Sequence, residues 1–235
     1  DRILRESQVI IGYTVYVDLV KEFYPQAEFL TTPMRQEWER CEMALKAAQD
    51  GRKTAMICSG DSGVYGMAGL VLQMAETCPP PPKFSQMAEA YPDVNVEVIP
   101  GVTAALGGGA ILGAPLGHDF AVISLSDLLT PWEKIEKRLR AAAAADFVIC
   151  LYNPSSKKRS DYLKRACQII FEETGQELVC GVVKSAGREG ECAEVMYLSE
   201  LEEYPADMFT TVFIGNSETR IIDGRMVTPR GYQNI

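Results

Sequence analysis

Four turns carry the residues that could bind a ligand or do chemistry, and each follows a predicted strand. The first, residues 59–66 (SGDSGVYG), combines glycines with Asp61. Glycine lets the backbone turn sharply and approach a ligand closely, and a carboxylate accepts hydrogen bonds from a ligand hydroxyl or amine. The spacing matches neither the GxGxxG dinucleotide motif nor a Walker phosphate loop. The alternative is a tight turn with an Asp or Ser helix cap.

The second turn, residues 100–109 (PGVTAALGGG), joins a predicted strand to a helix of small residues. Its Pro-Gly pair favours a turn, and the small side chains that follow allow close contact with a ligand. Tight packing of that helix on a sheet is the alternative. The pattern therefore predicts either ligand-contacting backbone or a packing contact.

Cations collect in the third and fourth turns, residues 152–159 (YNPSSKKR) and 181–190 (GVVKSAGREG). Lysine and arginine at the carboxyl end of a strand can pair with carboxylates or phosphates. The alternatives are a solvated basic loop and a hairpin with surface charges. The cations concerned are Lys157, Lys158, Arg159, Lys184 and Arg188.

His118 is the only histidine of the chain. Histidine titrates near neutral pH, so His118 is a candidate acid or base, with a structural histidine at a domain junction as the alternative. The chain has neither a GxSxG serine nor a recognisable cysteine nucleophile to pair with it. Covalent hydrolysis is therefore not expected. Glycine-rich turns after strands favour a protein that holds a cofactor through backbone contacts and leaves the reactivity to that cofactor.

Composition narrows the functional class further. The 235 residues include 23 Lys and Arg against 32 Asp and Glu, and the net charge of −9 argues against a nucleic-acid protein with a large basic face. No apolar run approaches the ~18 residues of a membrane span. The seven cysteines form no CxxC pair, which favours reduced core cysteines over disulfides or a zinc ribbon. A single histidine also argues against a histidine-rich metal site.

Strand and helix patterns alternate along the chain. Apolar side chains at Trp38, Cys41 and Leu45 have the spacing of one helix face. The first half predicts βα units on a parallel sheet, with a helix from about Tyr65 to Thr77, its last strand at 94–99 and a helix at 102–112. The second half predicts a mixed sheet with a late antiparallel part.

The sequence GAPLG at 113–117 is the predicted domain boundary. It divides the chain into an N-terminal α/β domain at 1–115 and a C-terminal α/β domain with a mixed sheet at 116–235. Four consecutive prolines at 79–82 predict a surface insertion or a disordered linker, because proline suits neither a helix interior nor a central strand.

Taken together, the turns resemble those of the tetrapyrrole (class III) S-adenosylmethionine-dependent methyltransferases. The segment SGDSGVYG is similar to the SGGDPxxYG loop of that family, with Ser62 where proline is more usual, and PGVTAA resembles its PGxS/TAxxA motif. Members begin with a strand and a glycine-proline-glycine loop, whereas this chain opens at Asp1, as if the helix that follows that loop were already under way. We therefore expect the N-terminal domain to lack that first strand and loop.

Three further stretches resemble the branch of the family that methylates C17 of precorrin-3B and contracts its ring in cobalamin biosynthesis. They are GAPLGHDFAVISLSDLLTPWEKIEKRL, LYNPSSKKR and TTVFIGNSETRIIDGRMVTPRGY. The resemblance implies two α/β domains with the cofactor cleft between them, a homodimer and a cytoplasmic location. The alternatives are methylation of another corrinoid position and a non-catalytic tetrapyrrole-binding protein. A Rossmann oxidoreductase is disfavoured by the missing GxGxxG.

The same resemblance implies roles for individual residues. Because the substrate carries many carboxylates, the five cations named above become candidates for binding it, and His118 becomes the candidate for the proton movement that ring contraction requires. No resident metal is implied, and the pattern leaves open whether the substrate carries cobalt. The implied S-adenosylmethionine contacts are Gly60, Asp61, Val64, Tyr65, Thr103, Ala104, Asn153 and Ala186.

Overall fold

In a computed structural model, which describes residues 1–76, 91, 93–156 and 160–232, the chain forms two compact units. They are Asp1–Thr103 and Ala104–Ile235. The predicted boundary at 115/116 lies further along the chain. The helix at Ala104–Leu112 belongs to the second unit because its Ala105 and Leu112 pack there against Val183 and Phe213. The prolines at 79–82 lie outside the described residues.

The first unit is built on a three-stranded parallel sheet in the order β2-β1-β3. Its central strand, β1, has Val9, Ile10 and Ile11 fully buried, as expected for a strand covered on both faces. The predicted parallel sheet is confirmed, but β2 was not predicted. The strands are β1 (Val9–Tyr13), β2 (Glu28–Thr32) and β3 (Thr54–Ile57), and the helices are α1 (Arg2–Glu6), α2 (Thr14–Asp18), a 3-10 turn (Lys21–Phe23), α3 (Glu37–Gln49) and α4 (Ala68–Ala75).

Helix α3 covers this sheet with the apolar face that the sequence predicts. Trp38, Cys41 and Leu45 are buried, and they pack with Val71 and Met74 of α4. The helix ends just before Gly51, which has a φ of +81°, a backbone conformation that glycine adopts without a steric penalty.

Two predicted elements of the first unit differ from the structure. Residues 94–100 do not form a strand, so that prediction is wrong: Val94 and Val96 pack against the α3–α4 cluster, while Val98 and Ile99 are exposed. The helix predicted from about Tyr65 begins only at Ala68, because the glycine-rich turn continues through Gly66.

The second unit has a five-stranded mixed sheet in the order β5-β6-β9-β7-β8, which confirms the predicted mixed sheet with a late antiparallel part. β5 and β6 are parallel, and β9 is antiparallel to both β6 and β7. The carboxyl ends of β5, β6 and β7 therefore lie at the same edge. These strands are β5 (Phe120–Ser124), β6 (Val148–Tyr152), β7 (Val179–Lys184), β8 (Cys192–Tyr197) and β9 (Thr210–Ile214).

Alternate residues of these strands face opposite helix layers, because side chains alternate along a strand. Ile149 and Leu151 pack in the cluster formed with the two long helices at Trp132–Ala144 and Tyr162–Thr174, whereas Cys150 packs in the cluster formed with the helix at Ala104–Leu112. A small second sheet, in the order β10-β11-β4, completes the unit. The remaining elements are α5 (Ala104–Leu112), β4 (Gly113–Ala114), α6 (Trp132–Ala144), α7 (Tyr162–Thr174), α8 (Leu198–Leu201), β10 (Arg220–Ile222) and β11 (Arg225–Val227).

Candidate functional site

The Asp61 carboxylate joins the first two glycine-rich turns. The backbone N–H of Gly63 donates to Oδ1 at 2.8 Å, and the backbone N–H of Gly101 donates to Oδ2 at 2.9 Å. These hydrogen bonds hold the pKa of Asp61 below its ordinary value, and the one from Gly101 has the larger effect. The carboxylate predicted to accept a hydrogen bond from a ligand is therefore ionised at neutral pH and already accepts one from each turn.

The two turns are also in direct backbone contact. A Cβ atom at Gly101 would overlap the carbonyl oxygen of Gly60, and one at Gly66 would lie 2.5 Å from the carbonyl oxygen of Ser62. Gly60 has a φ of +75°, a conformation that side chains with a Cβ rarely adopt. The chain therefore needs glycine at these positions in order to form this arrangement.

Other predicted cofactor residues of the first unit lie on or beside these turns. The backbone N–H of Val64 donates to the carbonyl oxygen of Asp61 at 3.2 Å. Tyr65 is exposed and has a φ of +52°, which is uncommon for a residue with a side chain. Thr103 is half-buried and follows Gly101 by two residues. The structure thus brings Gly60, Asp61, Val64 and Tyr65 together in one turn that contacts Gly101.

In the second unit, the carboxyl edge of the sheet gathers Ala104 and Asn153. The side-chain amide of Asn153 donates to Oγ of Ser124 at 2.9 Å, which joins the last residue of β5 to the residue that follows β6. The backbone N–H of Ala105 donates to the hydroxyl oxygen of Tyr152 at 2.6 Å, which holds the start of α5 at the end of β6. Asn153 has a φ of +53°.

The end of β7 brings Lys184 and Ala186 to the same edge. Ala186 packs on the cluster that contains Ala105 and Val183. Nζ of Lys184 lies 2.7 Å from Oδ2 of Asp207, and this hydrogen bond raises the pKa of Lys184. The predicted substrate-binding lysine therefore already has a carboxylate partner within the chain.

The same pair also affects the pKa of Asp207. Burial by itself would raise the pKa of Asp207, but hydrogen bonds from Lys184, the Phe209 N–H and Thr210 hold it below its ordinary value. The guanidinium of Arg188, the other predicted cation of this turn, lies 5.7 Å from the centre of the Phe209 ring. Lys157, Lys158 and Arg159 lie outside the described residues.

His118 lies apart from the other predicted residues of the second unit. It precedes β5, so it lies at the amino edge of the sheet, whereas Asn153 and Lys184 lie at the carboxyl edge. The two ends of β5 are roughly 13 Å apart at 3.3 Å per residue. Nδ1 of His118 accepts a hydrogen bond from the Asp119 N–H at 2.9 Å, and 52% of the side chain is exposed.

Sequence reasoning missed Arg40, whose side chain is buried in the first unit. Only 5% of Arg40 is exposed. Its Nε donates to Oγ1 of Thr32 at 2.9 Å, and Nη2 donates to the carbonyl oxygen of Pro33 at 3.0 Å. The available signal was its spacing from the small buried residues Ala44 and Ala47 on α3.

These arrangements suit the binding of a cofactor at the first turn. Over residues 1–76, 91, 93–156 and 160–232, no group of three or more His, Cys, Asp or Glu side chains could hold a metal ion. In the same residues, no helix is long and apolar enough to cross a membrane. The turn at Gly60 offers exposed backbone beside an ionised carboxylate, which suits a ligand held by hydrogen bonds to peptide groups.

Comparison with known proteins identifies similar enzymes. The model of the family of tetrapyrrole (corrin/porphyrin) methylases matches residues 1–202. A probable cobalt-factor III C(17)-methyltransferase of Salmonella typhimurium is 45% identical over 229 residues, which cover 97% of this chain and 90% of that protein. A precorrin-3B C(17)-methyltransferase of a Sinorhizobium species is 41% identical over 231 residues, which cover 96% of this chain and 87% of that protein.

The fold comparison agrees with the sequence comparison. The crystal structure of the methyltransferase CobJ superposes with a TM-score of 0.85 at 34% identity, covering 97% of this chain and 91% of that one. The expected α/β fold of the tetrapyrrole methylase type is therefore confirmed. The chain belongs to the tetrapyrrole (corrin/porphyrin) methylase family.

Proposed function

We propose that this protein is an S-adenosylmethionine-dependent C-methyltransferase that methylates C17 of a precorrin-3-type macrocycle and contracts its ring, in cobalamin biosynthesis. The observation that carries the proposal is the similarity to the Salmonella C(17)-methyltransferase, at 45% identity over 97% of this chain. The three C17-type stretches noted in the sequence support the same reaction.

The residues of the first unit fit this cofactor. Gly60 and Gly63 leave exposed backbone, and the contact of the Gly60 carbonyl with Gly101 leaves no room for a Cβ atom at residue 101. S-adenosylmethionine supplies a methyl group made electrophilic by the adjoining sulfonium, and tetrapyrrole methylases use it. We assign cofactor contacts to Gly60, Val64, Tyr65 and Thr103 in the first unit, and to Ala104, Asn153 and Ala186 in the second, and we place Asp61 in the same turn as Gly60 and Val64.

The chain contributes positioning rather than a nucleophile. In the transfer, an electron-rich ring carbon of the substrate would form a bond to the methyl carbon as the bond from that carbon to sulfur breaks and S-adenosylhomocysteine leaves, so no side chain would need to form a covalent bond. Holding the two reactants in line is potentially worth ~7–11 kcal/mol in the best intramolecular cases. Ring contraction also requires proton movement, and we assign it to His118, although this residue lies at the opposite sheet edge from Asn153.

The substrate carboxylates give the cations a role. We assign substrate binding to Lys157, Lys158, Arg159, Lys184 and Arg188. Because Lys184 pairs with Asp207 at 2.7 Å, a substrate carboxylate would have to share this lysine with Asp207 or displace that side chain. The pair thus keeps the lysine in one place at the carboxyl edge of β7.

Mass spectrometry of the product is the direct test. The protein is incubated with methyl-labelled S-adenosylmethionine and precorrin-3B, or with the cobalt-containing counterpart. A labelled, ring-contracted product with either macrocycle supports the proposal, and the preferred macrocycle shows whether the substrate carries cobalt. Cofactor binding without methyl transfer to either would contradict it and favour a tetrapyrrole-binding protein.

We further propose that the protein is a homodimer and acts in the cytoplasm, as the family resemblance implies. Light scattering coupled to size-exclusion chromatography checks the assembly, with twice the chain mass of 25.9 kDa expected. Fractionation of cells that carry a tagged copy checks the location. A monomeric mass at working concentration would contradict the homodimer. Recovery of the tagged protein with the membrane fraction would contradict the cytoplasmic location.

A further inference from the structure

We infer that Asp61 acts on the cofactor indirectly, as a positioning residue whose carboxylate holds the 60–66 turn against Gly101. The inference deepens the proposed function and rests on it for the identity of the ligand. It differs from the role assigned by resemblance, in which Asp61 contacts the cofactor itself.

The geometry of the carboxylate carries the inference. Its two oxygens accept hydrogen bonds from different segments: Oδ1 from Gly63 within the turn, and Oδ2 from Gly101, 40 residues away in the sequence. The distances of 2.8 and 2.9 Å are those of charge-assisted hydrogen bonds, which are roughly twice as strong as neutral ones. One side chain therefore links two otherwise separate stretches of backbone.

A second contact makes the link specific. Gly101 lies with its α-carbon against the Gly60 carbonyl group, so that a Cβ at Gly101 would overlap this oxygen. Gly101 is thus held at two points, its N–H on Asp61 and its α-carbon on Gly60. Thr103, a candidate cofactor contact, follows by two residues, so the position of its backbone depends on the same link.

Asp61→Asn changes the hydrogen bonding of the side chain and keeps its size, so it tests the two hydrogen bonds rather than the volume of the side chain. In Asp61→Asn, the remaining side-chain oxygen still accepts one hydrogen bond. The amide nitrogen takes the place of the other oxygen and faces a backbone N–H, from which it cannot accept a hydrogen bond. For the loss of one charge-assisted hydrogen bond, we expect the affinity for S-adenosylhomocysteine to fall by about 10- to 100-fold. Gly101→Ala breaks the link from the other side and leaves the Asp61 side chain unchanged. Gly69→Ala is the matched control, since a Cβ there meets nothing within 4 Å.

The experiment measures calorimetric affinities for S-adenosylhomocysteine and for analogues of it that lack the 2′-hydroxyl, the 3′-hydroxyl or the amino group. If Asp61 positions the turns, Asp61→Asn and Gly101→Ala weaken every analogue by the same factor as the parent ligand, and Gly69→Ala weakens none. If Asp61 contacts the ligand, the Asp61→Asn effect disappears for the analogue that lacks the contacted group. That result overturns the inference. An Asp61→Asn protein that binds S-adenosylhomocysteine as tightly as the parent also overturns it.

Amide hydrogen exchange of the ligand-free protein gives a second readout. We expect the Gly63 and Gly101 amides to exchange faster in Asp61→Asn than in the parent, with the rest of the chain unchanged. Equal exchange at both amides overturns the inference. If the parent protein fails to bind S-adenosylhomocysteine, the proposed function fails, while the exchange experiment still tests the link. Should Asp61→Asn not fold, Gly101→Ala carries both measurements.

Discussion

The carbonyl oxygen of Gly60 occupies the space in which residue 101 would carry a Cβ atom. Two glycine-rich turns that are far apart in the sequence therefore meet backbone to backbone, and the Asp61 carboxylate adds a hydrogen bond to each. This contact is the structural basis for our proposal that residues 60–66 and 100–103 form one cofactor-binding surface within the first unit.

A side chain at Gly60 should abolish cofactor binding. In Gly60→Val, a β-branched residue would have to adopt a φ of +75° and place methyl groups on the exposed face of the turn. We expect S-adenosylhomocysteine binding to fall below detection in calorimetry, while the circular dichroism spectrum keeps its parental shape. Gly69→Ala serves as the control. Parental affinity in a folded Gly60→Val protein would contradict the placement of the cofactor.

Neutralising the cation cluster should affect the substrate and not the cofactor. We expect the triple variant Lys157→Gln, Lys158→Gln, Arg159→Gln to raise the substrate KM at least tenfold and to leave S-adenosylhomocysteine affinity unchanged. In the parent protein, added salt should raise the substrate KM as well, because exposed ion pairs are screened over about 10 Å at 0.1 M.

A matched triple variant controls for net charge. Lys134, Lys137 and Arg138 are exposed on α6, and changing them to glutamine removes the same three charges. We expect steady-state kinetics of this control to match the parent. Normal kinetics in both triple variants would show that the 157–159 cluster is only a solvated loop.

His118→Gln tests the proton step. Methyl transfer to an electron-rich carbon needs no strong base, so this variant should still methylate. Ring contraction should slow by ~10²–10⁴, the usual range of general acid–base assistance. Product analysis would then show an uncontracted macrocycle accumulating. If the variant forms contracted product at the parental rate, His118 takes no part in the proton step. Its role is then structural, through the hydrogen bond that its imidazole accepts from the Asp119 N–H.

The cysteines should differ sharply in reactivity. Burial raises the pKa of Cys41, Cys150 and Cys167 to about 12, whereas Cys192 is exposed. At pH 8 a thiol with a pKa near 12 is thiolate in about one molecule in 10⁴, and the thiolate is the reactive form. Among the cysteines of the described residues, we expect iodoacetamide to label Cys192 first, as read by peptide mass spectrometry. Equal labelling of Cys41 in the folded protein would contradict the burial.

Arg40→Met should destabilise the first unit. The variant keeps much of the side-chain volume but leaves the Thr32 hydroxyl and the Pro33 carbonyl without their buried donor. Each buried polar group that loses its partner costs about 1–3 kcal/mol in the free energy of unfolding. Urea unfolding measures the loss, and Arg138→Met on the exposed face of α6 is the control. Equal stabilities would mean that water replaces the guanidinium.

The elements with strong local patterns can be predicted from the sequence alone. The continuous apolar run of β1, the helical spacing of α3 and the glycine-rich turns after strands can all be read from neighbouring residues, because each depends on its own backbone preferences and burial. The motif resemblance then led to the family. β2 is as long as β1, but its sequence EFLTT is not a continuous apolar run and gives no comparable strand pattern.

Which side chains and backbone groups come into contact depends on the packing of distant segments. Local sequence predicts neither that Asp61 accepts the Gly101 N–H nor that Lys184 pairs with Asp207, since both depend on contacts between distant segments. Strand pairing likewise places His118 and Asn153 at opposite edges of one sheet. Side-chain chemistry is local, but its partners are chosen by the packing of the whole unit, and for this reason the residue types were predictable and their arrangement was not.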